Sequence, residues 1–473
     1  MAELSPVDMA SHPYLSGRFA PTNQELDVAE LEVEGSLPDG LVGAYLRNGP
    51  NEMFPPLGSY TFPMEGDAMV HGVWFDGEGG ARYRNRWVRT KGMAADIAAG
   101  GDVFGGLMTP AFVDLAELGP DPDPGWPFRL DPFINVVRHA GRLLTLSEGL
   151  PGYEITPDLG TVGRFDFGGK LKGMCAHPRI DPVTGEMVLF AYDVEAPFLV
   201  WSIVGPDGTV TTGPNVVEGV DEGYMIHDCT ITERYLVLVI APVVFDLDAM
   251  MSGGDVLSWK PDLGTRIACI PRDGGAVQWL HTDPFFVWHF GNAYDDGEDV
   301  IVDFSWWSLF SLGLDASRTG AFTRACLTPG TGAVALHHLD ELPSEFARID
   351  DRRTGRRHRY VTVSRKSGTT PGLLSGEFDQ LVRFDMATGE SVVHVSDLVF
   401  GEVVHAARAG AAEGDGDPEL DGWYLTFATD IGATASWLVI WDAATFPSDP
   451  VAKVRMPHRV PNGLHGNWMP ATP

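Results

Sequence analysis

Short β-rich runs bounded by turn residues recur along this chain at intervals of roughly 45 to 65 residues, and that spacing constrains its fold more than any other feature. The clearest cover residues 141–146, 185–192, 233–240, 297–304, 357–363 and 422–428. Turns such as Pro206-Asp-Gly208, Pro271-Arg-Asp-Gly274 and Thr388-Gly-Glu390 separate them. The interval suits one four-stranded propeller blade per run, each with a decorated loop. No WD or kelch signature is present, so the propeller rests on spacing and alternation, and two packed β-sandwiches are the competing all-β architecture. Helix is expected only over 93–99, 112–118 and 245–251, and 415–421 reads as an acidic surface loop. No Pro/Ser-rich linker divides the chain, so one domain spanning 1–473 is expected.

Charge narrows the function classes. With 33 Lys and Arg against 65 Asp and Glu, the net charge is −32. A nucleic-acid partner is therefore not expected, because phosphate-backbone binding needs clustered cations. Charge-driven docking on anionic lipid is disfavoured for the same reason. The first thirty residues have no basic and apolar leader pattern, and no run approaches the ~20 apolar residues of a spanning helix. Four cysteines with no CxxC spacing suggest reduced, mostly buried thiols. A cytoplasmic protein with no transmembrane segment, and at most peripheral membrane contact, is the expectation.

Most of the 14 histidines need no functional explanation, but three share a position. His177 lies eight residues before the run opened by Gly185, His227 six before that of Glu233, and His289 eight before that of Gly297. Inner strands of a propeller converge on one axis, so equivalent positions bring these imidazoles together. His465, in Asn462-Gly-Leu-His-Gly-Asn-Trp468, has no later strand to precede. Pairing of its segment with the run 43–47 is expected to close the ring and supply the missing partner. Four neutral imidazoles without a carboxylate ligand suit a first-row metal, and open positions suit Fe(II) activating oxygen. Zinc is more usually closed by thiolate or held by three ligands and water. A calcium-type hydrolase would want Asp, Asn and Glu ligands. His281, His337, His338, His358 and His405 fall outside the pattern and read as structural or surface residues. Glu148, Glu345 and Glu402 lie beside apolar strand residues; from the residues alone each reads as a surface or turn carboxylate.

Several blocks, taken together, resemble the carotenoid cleavage oxygenase family, which includes carotenoid, apocarotenoid and lignostilbene-type double-bond cleaving enzymes. They are Tyr45-Leu-Arg-Asn-Gly-Pro-Asn51, Glu65-Gly-Asp-Ala-Met-Val-His-Gly72, Tyr83-Arg-Asn-Arg-Trp-Val-Arg-Thr90, Ala176-His-Pro-Arg-Ile-Asp-Pro182, Glu345-Phe-Ala-Arg-Ile-Asp350, Arg356-Arg-His-Arg-Tyr360 and His465-Gly-Asn-Trp468. The resemblance implies a seven-bladed β-propeller with a loop and helical cap over an axial metal site. It implies Fe(II) held by His177, His227, His289 and His465, with Glu148, Glu345 and Glu402 orienting the ligands. It also implies a reaction in which dioxygen adds across one conjugated C=C bond and two carbonyl products leave. Dioxygen is then the co-substrate, and no organic cofactor is needed.

Departures from the family pattern bear on substrate. Lignostilbene and isoeugenol-type enzymes carry a Lys before the first glutamate and an earlier Tyr to hold a phenol oxygen. Ser147 stands at the Lys position and Leu107 near the Tyr position. Ile134 replaces a Thr common near the iron, which makes the pocket more apolar. The stretch 243–260 is short where many carotenoid enzymes carry an apolar insertion for membrane docking. The expectation is an enzyme for a carotenoid or apocarotenoid-like polyene. The same chemistry on a stilbenoid or phenylpropene is the alternative, and a non-catalytic propeller binding an apolar ligand is a third reading.

Overall fold

Every one of the six β-rich runs is the second strand of a four-stranded antiparallel unit. The computed structural model describes residues 4–109, 131–251, 254–312, 319–408 and 417–471. Met187–Tyr192, for example, pairs inward with Arg179–Ile180 and outward with Leu199–Val204, which is followed by Val210–Val216. The same order recurs around Arg142–Leu146, Tyr235–Ile240, Asp299–Trp307, Tyr360–Arg365 and Gly422–Asp430. A seventh unit is built from both ends of the chain. Its inner strand Gly466–Pro470 pairs antiparallel with Val42–Pro50, placing Gly43 opposite Pro470 and Arg47 opposite Gly466. The expected ring closure is therefore present, and the architecture is a seven-bladed β-propeller. The sandwich alternative falls because no two sheets pack as a separate pair of layers; the blades follow one another around a ring.

Burial follows this order. All six residues of Tyr235–Ile240 are buried, because both faces of a middle strand are covered by neighbouring blades. Outer strands such as Val210–Val216 are mostly exposed. The core accordingly lies between blades: Leu189 and Phe190 pack with Leu236 and Leu238, Val237 with Val302 and Phe304, and Tyr45 and Val73 with Leu425 and Ile440. Two further strands reinforce the closure. Val33–Gly35 extends the blade of Gly422–Asp430 beside Ala452–Arg455, and Asp27–Val28 extends the closing blade beside Ala81–Trp87. Residues 27–35 thus bridge the closing blade and the blade of Gly422–Asp430.

Helix is sparse. Lys91–Ala99 is capped by the Thr90 hydroxyl, which accepts the Met93 N–H, and it ends at Gly100 with φ 74°. It starts two residues before the expected 93. Leu247–Met251 is the second helix, and here the sequence reading needs correction. Phe245 belongs to the strand Val243–Phe245, held by pairing with Leu257–Trp259 rather than by a helical turn. The helix expected over 112–118, and positions 415 and 416 of the acidic loop, lie outside the described residues. Among the described residues no helix is long and apolar enough to cross a membrane. Cys175, Cys229 and Cys269 are buried free thiols, and Cys326 is partly buried. His281, His337 and His338 are exposed, whereas His358 is buried against Asp303 at 2.9 Å.

Candidate metal centre

The histidine pattern marks the inner end of each blade, not the strand that made it visible in the sequence. His177 lies two residues before the inner strand Arg179–Ile180, His227 three before Thr230–Ile231, and His465 immediately before Gly466–Pro470. His289 lies inside its inner strand, Phe286–Asp296, at a bulge where pairing with the next strand shifts register between Val287, Phe290 and Asn292. The bulge re-aims one side chain without ending the strand. Four inner strands therefore deliver four imidazoles to one point on the axis.

Their ligand nitrogens all lie within 4.8 Å of one another. His227 Nε2 is 3.1 Å from both His177 Nε2 and His289 Nε2. The rings stand steeply to one another, with interplanar angles from 62° to 89°. The opposite ring nitrogens are engaged by carboxylates. His289 Nδ1–H donates to Glu345 Oε2 at 2.6 Å, and His465 Nδ1–H to Glu402 Oε1 at 3.1 Å. His227 Nδ1–H donates to Glu148 Oε1. A proton held on Nδ1 leaves Nε2 a bare acceptor. His227 and His289 Nε2 are then two bare acceptors 3.1 Å apart with no hydrogen to share, so the cluster fits a cation among them. Burial, reinforced by the neighbouring imidazoles, holds His177 and His289 well below the usual histidine range. Both are neutral at pH 7, the form that binds metal.

The three glutamates are buried, at 8%, 6% and 3% exposure for Glu148, Glu345 and Glu402, so the surface reading of each is overturned. What makes this tolerable is a second donor for every carboxylate. Tyr192 donates its hydroxyl to Glu148 Oε2, and Trp307 its indole N–H to Glu345 Oε1. Glu402 Oε2 accepts the Gly466 N–H at 2.9 Å and lies 3.2 Å from Arg348 Nη1. Burial alone would raise the Glu402 carboxyl; Arg348 and His465 outweigh it and bring it down to about 2. Tyr192, Trp307 and Arg348 were not singled out in the sequence. Tyr192 and Trp307 end recognisable strands, but nothing local ties them to carboxylates 44 and 38 positions away.

A cavity of about 700 Å³ opens beside His227, His289 and His465. Its wall is mainly apolar, with Leu107, Ile134, Phe245, Trp288, Trp307 and Phe346 among the lining side chains. Phe346 adopts φ 57°, a conformation rare and strained for an aromatic residue. Its ring sits 5.3 Å from both His289 and His465, so the strained backbone places an apolar face over two of the four imidazoles.

The sequence profile of the retinal pigment epithelial membrane protein family matches residues 19–470. The chain belongs to this family, that of the carotenoid cleavage oxygenases. It is 33% identical to a carotenoid cleavage oxygenase of Mycobacterium tuberculosis, over 98% of both chains. It is 31% identical to resveratrol cleavage oxygenase 1 of Aspergillus fumigatus, over 97% of this chain and 95% of the other. Among solved structures, the lignostilbene dioxygenase of Pseudomonas brassicacearum superposes with a TM-score of 0.86 at 27% identity, covering 98% of this chain and 99% of that one. The carotenoid cleavage oxygenases are iron-dependent, alkene-cleaving oxygenases built around a four-histidine cluster.

Within that family frame, Ser147, Leu107 and Ile134 all line the cavity. Ile134 is tied to the centre through its carbonyl, which accepts the His465 N–H at 3.2 Å. Within 243–260 the strands Val243–Phe245 and Leu257–Trp259 pair antiparallel, and Phe245, Val256 and Leu257 wall the cavity.

Proposed function

We propose that this protein is a non-haem Fe(II) dioxygenase that cleaves one conjugated C=C bond of a carotenoid or apocarotenoid-like polyene into two carbonyl products. The observation that carries the reading is the convergence of four imidazole nitrogens beside an apolar cavity of about 700 Å³. That volume is within the usual range for a small-molecule site.

His177, His227, His289 and His465 are the residues that would hold the iron, which when bound supplies oxygen activation beside the alkene. The protein's own contribution is orientation. Glu148, Glu345 and Glu402 keep the protons of His227, His289 and His465 on Nδ1 and fix the ring directions. Trp288, Trp307 and Phe346 exclude water and hold an extended apolar chain against the centre. Ile134 gives the wall near His465 no hydrogen-bonding group. One alkene and one dioxygen account for both carbonyls, so no external reductant is required. We read residues 1–473 as a single domain carrying this site.

A stilbenoid or phenylpropene is the second reading, favoured by the resveratrol-cleaving and lignostilbene-cleaving relatives. Against it, the cavity carries Ser147 and Leu107 where a cationic and a phenolic partner for a phenol oxygen would be wanted. A panel of apocarotenals of graded length together with stilbenes, with aldehyde products identified by mass, tests both. Cleavage of apocarotenals at least tenfold faster in kcat/KM supports the polyene reading. A preference for stilbenes overturns it, and absence of cleavage by iron-loaded protein returns the chain to a ligand-binding propeller.

A further inference from the structure

One ion pair, with Asp228 buried and Arg179 partly buried, ties together three of the four histidine-bearing segments. Arg179 follows His177 by two residues, and Asp228 follows His227 directly. Arg179 Nη2 donates to Asp228 Oδ1 at 2.9 Å and Oδ2 at 2.7 Å, and Asp228 is 3% exposed. Neither group stops at its partner. Arg179 Nε donates to the Cys229 carbonyl at 2.7 Å, and its Nη2 also reaches the Phe290 carbonyl at 3.3 Å. Asp228 Oδ1 accepts the Cys229 N–H at 2.6 Å, and Oδ2 accepts the Phe290 N–H at 2.8 Å. Phe290 follows His289. The pair thus grips both polar groups of the residue after His289 and both polar groups of the residue two beyond His227, from a side chain two beyond His177.

The fourth segment is linked differently. Asn467, two residues after His465, donates to Asn135 Oδ1 at 3.0 Å, and Asn135 donates to the Ala176 carbonyl, beside His177, at 3.0 Å. That chain fixes His465 to His177 but does not reach His227 or His289. Cys229 Sγ also donates to the His177 carbonyl at 3.3 Å, but among the described residues the ion pair is what ties the His177, His227 and His289 segments together as three.

We propose that Arg179 and Asp228 are positioning residues for the metal centre, setting the relative placement of His177, His227 and His289. A planar guanidinium with several fixed donors, and a carboxylate with four acceptor sites, make a rigid bracket between three blades. Lysine offers a single ammonium and cannot hold the Asp228 carboxylate and the Cys229 and Phe290 carbonyls in one plane. The displacement this allows is small, but ligand–metal distances tolerate only about 0.2 Å. The inference rests on the reading that the four histidines hold a metal.

The test compares R179K and D228N with R324K, which disturbs a bidentate buried pair with Asp303 that contacts no histidine of the cluster. Each protein is loaded with Fe(II) or Co(II), and three quantities are read: affinity by chelator competition, the Co(II) ligand-field spectrum, and thermal unfolding without metal. R179K is expected to weaken affinity by about 10 to 100-fold and to alter the Co(II) spectrum. R324K is expected to lower the unfolding temperature while leaving affinity and spectrum as in the wild type. R179K with wild-type affinity and spectrum overturns the proposal whatever its unfolding temperature, and it decides the matter if D228N does not fold. An equal change of spectrum in R324K also overturns it, since the effect would then be general loosening. A wild-type chain that binds neither ion overturns the metal reading and this inference with it.

Discussion

Trp307 donates its indole N–H to the Glu345 oxygen that His289 leaves free, so one carboxylate serves two buried donors. Glutamine at this position has one acceptor oxygen and an amide that only donates, so Glu345→Gln breaks its bond to either His289 or Trp307. We expect kcat/KM to fall by about 10 to 100-fold with the fold retained, and the same for Glu402→Gln. Steady-state kinetics beside a circular dichroism melt check this; unchanged turnover in both variants would reduce the glutamates to passive buried groups.

Metal content gives a second test. Elemental analysis of chelator-free protein should find about one iron per chain. His227→Ala should lose it while the blades remain folded, because the inter-blade core does not depend on that side chain. Stoichiometric iron with full turnover in His227→Ala would sink the ligand assignment.

Substrate choice should be indifferent to a phenol group. Ser147 provides no cation to balance a buried phenolate. Removing the 4-hydroxyl of a stilbene should therefore change kcat/KM by less than about tenfold. Ser147→Lys should move preference toward hydroxystilbenes. A hundredfold wild-type preference for the hydroxylated compound would place the enzyme with the lignostilbene group instead.

Asp181 offers a stability prediction away from the metal. It is 2% exposed and lies 2.9 Å from both Arg272 Nη1 and Arg356 Nη1, joining three blades. Asp181→Ala removes one of the two carboxylates that Arg272 pairs with, leaving it Glu186 and the Thr232 carbonyl, and should cost about 2 kcal/mol in a urea titration at pH 7. Burial would raise this carboxyl, but the Val183 N–H, Arg272 and Arg356 together hold it below its usual value. Its contribution is then complete above the unfolded pKa of about 4 and is lost as pH falls through the lowered folded value. The stability gap between wild type and Asp181→Ala should accordingly narrow only below about pH 4. A gap that stays constant down to the acid limit would show that the pair carries no charge-dependent stability.

The fold was legible because each blade's second strand is buried on both faces and so reads as an apolar β run bounded by turns. The inner strands were not legible. Arg179–Ile180 and Thr230–Ile231 are two residues long, too short for any alternation to register. Their positions could be inferred only from the histidines that precede them. Glu148, Glu345 and Glu402 could not be told from surface carboxylates, because their burial depends on donors far along the chain. The block Ala176-His-Pro-Arg-Ile-Asp-Pro182 shows the same limit: its pattern was visible, yet the ion-pair partners of Arg179 and Asp181 come from two other blades. Likewise Gly466, in His465-Gly-Asn-Trp468, is explained only by packing, since a Cβ there would meet the Tyr45 hydroxyl at 2.8 Å.

The seam between Val42–Pro50 and Gly466–Pro470 sets an order of events for assembly. His465 sits at that seam and its three companions lie on other blades, so the four-nitrogen cluster exists only once strands more than 400 positions apart have met. Contacts of such sequence separation form late. Ions that engage all four nitrogens therefore bind a finished ring, and their binding free energy adds to the latch that keeps the ring shut. Loss of the ion should show first as loosening of Gly466–Pro470 from Val42–Pro50, well before any middle strand gives way.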